Sequence, residues 1–78
     1  MAASFTAQDK RDSAIREANM RRRVYPRWVE NGKMRQASAD REIALMEAIA
    51  EDYKLEAEKE AVERSRADEA ARQRTLFG

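Results

Sequence analysis

The apolar positions of this chain recur at helical intervals. Ala39, Ile43, Met46, Ala50, Tyr53 and Ala57 are spaced 4, 3, 4, 3, 4. That is the heptad rhythm of a helix burying one stripe, and Ile49 widens it. In the same register the stripe continues as Glu60, Arg64, Ala67, Ala71 and Arg74. It therefore loses its large apolar side chains after Tyr53. The first half of this segment is expected to pack and the second to project into water. Glu60–Arg64 and Asp68–Arg72 stand at i,i+4 and can support a solvated helix. No alternating run of Val, Ile, Thr or aromatic residues signals a strand.

Start and stop signals divide the chain. Thr6 can cap a first helix, with Asp9 three residues on as a weaker form of the capping box. Asp12–Arg16 and Glu17–Arg21 follow in the favourable acid-first i,i+4 order. Pro26 lacks an amide proton and disfavours helical dihedrals at Tyr25, so a kink or a restart into a short helix is expected there. Asn31-Gly32 reads as a C-cap, and Lys33 to Arg35 as the only turn. The expected segments are 1–35, an N-terminal helix with a proline kink and short helix; 36–72, a long helix; and 73–78, a docking tail. Folded back at Gly32, the chain is an all-α antiparallel hairpin with a partly projecting C-terminal helix. Met20, Val24, Trp28 and Val29 are expected beside Ile43, Met46, Ile49 and Tyr53. So small a core is marginal, and a coiled-coil homodimer or a partner protein would relieve the shortage.

Composition narrows the function. The chain has 78 residues, is 40% charged, and contains neither Cys nor His. Cys/His zinc sites, disulfides and Ser-His or Cys-His catalytic pairs are thereby excluded. Two glycines cannot build a phosphate-cradling loop. No catalytic residue, metal or cofactor is expected, and the protein reads as non-enzymatic. No run approaches the roughly 18 apolar residues of a membrane span, and MAASFTAQDK has no signal-peptide core. A soluble cytoplasmic protein is the expectation.

The net charge of +1 hides an asymmetry. Residues 1–36 carry nine basic and four acidic side chains, whereas 37–78 carry seven and eleven. Arg21, Arg22, Arg23, Arg27, Lys33 and Arg35 cluster around Tyr25 and Trp28. Cations interleaved with aromatics suit nucleic-acid contact. The competing reading is a solvated face with Tyr25 and Trp28 buried in the hairpin, and the shortage of core favours it. Glu42, beside the packed stripe, is expected to pair with Arg41 or an arginine of the first helix.

Gln73-Arg74-Thr75-Leu76-Phe77-Gly78 stands apart. Leu76 and Phe77 are the first large apolar residues after Val62. Adjacent apolar residues beyond the reach of a core are the usual form of a docking motif. The segment resembles the sliding-clamp-binding peptide of bacterial replication and repair proteins, Gln-Leu-(Ser/Asp)-Leu-Phe. Gln73, Leu76 and Phe77 match its anchors, Thr75 is a small polar residue where Ser or Asp is common, and Arg74 departs from the preferred Leu. The resemblance implies that Leu76 and Phe77 enter the apolar pocket of a clamp and that Gln73 hydrogen-bonds at its edge. Archaeal and eukaryotic clamp peptides share the Gln and the following aliphatic residue, so the kingdom stays open.

Met20 to Val29, Gly32 to Met34 and Ala39 to Tyr53 together resemble short uncharacterised proteins of proteobacterial phages and prophages. This implies residence in a bacterial host cell and carries no activity. Three readings follow. One is an interaction protein on the sliding clamp, either docking a phage function or inhibiting host replication. Another is a nucleic-acid-binding helical module using Arg21–Arg23. The third is a structural or inhibitory helical protein acting through its stripe.

Overall fold

Thr6 opens the first helix through both halves of a capping box. Its Oγ1 accepts from Asp9 N at 3.1 Å, and its own amide donates to Asp9 Oδ2 at 3.2 Å. The computed structural model describes residues 4–77, with side chains through Arg74. It contains two helices, α1 (Ala7–Glu30) and α2 (Gln36–Phe77), and no strand among the described residues. They form an antiparallel hairpin.

The turn closes as the sequence implies. Gly32, at φ 74°, sits just beyond the Asn31 cap. Gly32 N donates to Val29 O at 3.1 Å and Lys33 N to Trp28 O at 2.8 Å. These are the paired bonds of a Schellman motif, which satisfy carbonyls the helix end would otherwise leave open.

No restart occurs at Pro26. α1 runs unbroken from Ala7 to Glu30 with Pro26 inside it. Pro26 and Arg22 are both exposed, so the carbonyl that loses its intrahelical donor can turn to water. Tyr25 and Val29, on either side of the proline, are half-buried, and that packing holds the last turn helical.

The core is a seam of small residues. Among the described residues, Ala7, Ala14, Ala18 and Ala39 are the buried hydrophobic ones. On α1 the seam reads Ala7, Arg11, Ala14, Ala18, Arg21, Tyr25, again spaced 4, 3, 4, 3, 4. It meets the α2 stripe, where Ile43, Met46, Ala50, Tyr53 and Ala57 are half-buried. Alanines let the two backbones approach closely, and larger side chains flank the contact. This corrects the expected core. Met20, Val24 and Val29 are only half-buried, and Trp28 is 43% exposed. Two helices share a single contact face, so Met20, Val24 and Val29, one position off the seam, keep one side in water, whereas Trp28 continues the seam's spacing in the last turn of α1, at the end of the hairpin.

The molecule is elongated, 69 × 27 × 14 Å, with a radius of gyration of 19.5 Å. A compact chain of this length would have a radius near 11–12 Å.

Candidate functional site

Three parts of the hairpin carry side chains beyond what the fold uses. The first is the far part of α2. Glu60 Oε2 accepts from Ala7 N at 3.3 Å, so α1 begins level with Glu60. From Ala61 to Arg74 every residue is exposed. At 1.5 Å per residue, positions 61–77 form an arm about 25 Å long. The boundary expected at residue 72 is absent, because α2 continues through Phe77. Gln73 and Arg74 are exposed on this arm. The side chains of Thr75, Leu76 and Phe77, and Gly78 altogether, lie outside the described part. Positions 73, 76 and 77 nevertheless stand at i, i+3 and i+4 of one helix, the spacing of a shared face.

The second is the closed end of the hairpin. Arg21 is turned inward. Its Nε lies 3.0 Å from Glu17 Oε1, and its Nη1 donates to Glu42 O at 2.8 Å and stands 3.7 Å from Glu42 Oε2. Glu42 therefore pairs with a hairpin arginine. Arg22 reaches Glu47 at 2.7 Å and Asn19 Oδ1 at 2.6 Å. Arg23, Arg27, Lys33 and Arg35 are exposed. Among the described residues none of these four has a carboxylate within ion-pair distance. Tyr25 and Trp28 stack with ring centroids 5.4 Å apart and planes 27° apart, and Arg21 Cζ lies 5.9 Å from the Tyr25 centroid. The six cations of the cluster thus divide into two that hold the hairpin together and four that face solvent.

The third is the length of the hairpin itself. Lys10 Nζ sits 5.5 Å from the Tyr53 ring centroid, a cation–π contact between the helices. Arg11 occupies a seam position, and its Nε is buried with no hydrogen-bond partner among the described residues. Leu55 and Val62 are exposed and line a shallow groove with Glu58, Lys59, Glu63 and Arg66. Leu45 is exposed too.

Sequence reasoning missed the α1 seam. Its signal was present in the spacing of Ala7, Ala14 and Ala18, but small residues alternating with Arg11 and Arg21 do not register as an apolar stripe. It also missed the split within the arginine cluster, which depends on which carboxylates α2 brings across.

Among the described residues no group of three or more acidic, His or Cys side chains could hold a metal ion. Among the described residues no helix is long and apolar enough to cross a membrane. No family model, curated protein or solved structure matches the chain.

Proposed function

We propose that this is a small non-enzymatic interaction protein of phage type that docks on a partner through the end of α2, the partner being a DNA polymerase sliding clamp. The observation that carries the reading is the arm. Gln73, Leu76 and Phe77 stand on a helix that runs well past Glu60, the residue level with the start of α1. The hairpin has no use for an apolar pair at that distance. The likeness of Gln73, Thr75, Leu76 and Phe77 to the clamp-binding peptide supplies the partner. Docking in an extended form requires the last turn of α2 to unwind. That turn is the cheapest part of a helix to open, since its final carbonyls have no intrahelical donor. Occupying the clamp pocket either tethers a phage function to replication or displaces host polymerases from it.

Mixing the purified protein with a bacterial sliding clamp tests this. Binding is expected for the wild type and lost in Leu76→Ala/Phe77→Ala. Absence of binding, or binding indifferent to the double substitution, overturns the reading.

A second reading, a structural or inhibitory helical protein, draws on Leu45, Leu55 and Val62. These large apolar residues remain exposed while α1 fills the heptad stripe. It predicts a homodimer or a complex that survives loss of Leu76 and Phe77. Light scattering with and without the double substitution separates the two.

A further inference from the structure

We propose that the closed end of the hairpin is a binding site for single-stranded nucleic acid, with a base stacked on Trp28 and phosphates held by Arg23, Arg27, Lys33 and Arg35. This goes beyond the docking arm and does not depend on it.

The first support is the placement of the only tryptophan. A chain with few large apolar residues would be expected to bury its largest one. Trp28 is instead 43% exposed, while Tyr25 stacks against its ring. Tyr25 in turn is half-buried on the seam and flanked by Arg21. The indole is thus stacked on one neighbour and still largely open to solvent. The turn adds a constraint, because Lys33 N and Met34 N both donate to Trp28 O, at 2.8 and 3.2 Å. Lys33 is thereby tied through its backbone to the residue that carries the ring.

The second support is charge. Between Ala18 and Ala39 the only acidic residue is Glu30, against six cations. Glu17, Glu42 and Glu47 engage Arg21 and Arg22. The other four cations have no such carboxylate among the described residues. Arg27, in the last turn of α1, suits the negative end of the helix dipole, which accounts for one charge and not four. Unpaired cations that share the last two turns of α1 and the following turn with an exposed aromatic are the combination that binds single strands, since the phosphates track the charge and any base can stack. Bases in a duplex already stack on one another, so an exposed indole favours the single strand.

The test is fluorescence anisotropy of a labelled oligo-dT, about 12–16 nucleotides long to match known single-strand site sizes, titrated with the full-length protein. Binding at low salt is expected. Its logarithm should fall with log salt at a slope near −3, about 0.7 for each of four phosphate contacts. Trp28→Ala should weaken it roughly 5- to 150-fold, the loss of one stacked base, and Trp28→Phe should restore part. Replacing Arg23, Arg27, Lys33 and Arg35 by Gln should abolish it. Replacing Arg64, Arg66, Arg72 and Arg74 by Gln changes the net charge equally and should leave it largely intact. Circular dichroism confirms that each variant keeps its helices. Absence of binding, equal loss in both arginine sets, indifference to Trp28, or preference for a duplex of the same length overturns the proposal. In those cases the patch serves an acidic protein or solvation alone.

Discussion

Arg21 is bound to Glu42 through the backbone more closely than through charge: its guanidinium donates to the Glu42 carbonyl oxygen at 2.8 Å, while the Glu42 carboxylate stands 3.7 Å away. The arginine side chain is 16% exposed and the glutamate 40%. The contact joins the helices at the seam, near the turn. Arg21→Ala should cost about 1–3 kcal/mol, because it strips a charged donor from a partly buried acceptor and also frees Glu17. Glu42→Gln keeps the carbonyl and should cost much less. Thermal unfolding followed by circular dichroism distinguishes them, at roughly 4–8 °C per kcal/mol for a chain of this size.

The alanine seam should resist enlargement. Ala14, Ala18 and Ala39 are almost fully buried where the helices meet. Ala18→Leu or Ala39→Leu should force the helices apart and destabilise the hairpin by about 1–3 kcal/mol. Leu55→Ala, on an exposed position, should fall within about 0.5 kcal/mol of wild type. Urea titration of the three variants decides this, and equal midpoints would contradict the close approach of the two backbones.

Gly32 is required by its backbone and not by space. At φ 74° a Cβ would meet nothing within 4 Å. Gly32→Ala should therefore cost about 1–2 kcal/mol, the left-handed penalty alone. Gly32→Asn should cost less, since Asn tolerates that conformation. A larger loss in the alanine variant would show a steric role.

Removing the arm should leave the hairpin standing. Residues 61–74 are exposed, and Glu60 accepts from the start of α1. A chain ending at Ala61 should lose helical signal roughly in proportion to length, with a melting midpoint close to wild type. Truncation before Glu60 removes an acceptor and a favourable charge at the N-terminus of α1, and should cost a further ~0.3–1 kcal/mol. A large fall in midpoint for the chain ending at Ala61 would mean that the arm folds back on the hairpin.

Trp28 should report an exposed environment. Its emission is expected near that of indole in water and open to acrylamide quenching, consistent with 43% exposure. A blue-shifted, protected signal would place it in a core.

Local signals in the chain were sufficient for the helical class, the caps of α1 and the turn. Thr6 with Asp9, and Asn31 with Gly32, act through neighbours within a few residues, and the heptad spacing of α2 is a property of one helix. The +5 and −4 halves and the Gln73-Thr75-Leu76-Phe77 segment are legible in the same way. Pairing across the hairpin was not. Whether Pro26 breaks α1 depends on what Tyr25 and Val29 touch. Which arginines are spent depends on Glu42 and Glu47 arriving opposite Arg21 and Arg22. Whether Trp28 is buried depends on how far the second helix extends around it. Each of these is a competition between a local preference and a contact made at long sequence separation, and only the packed pair of helices resolves it.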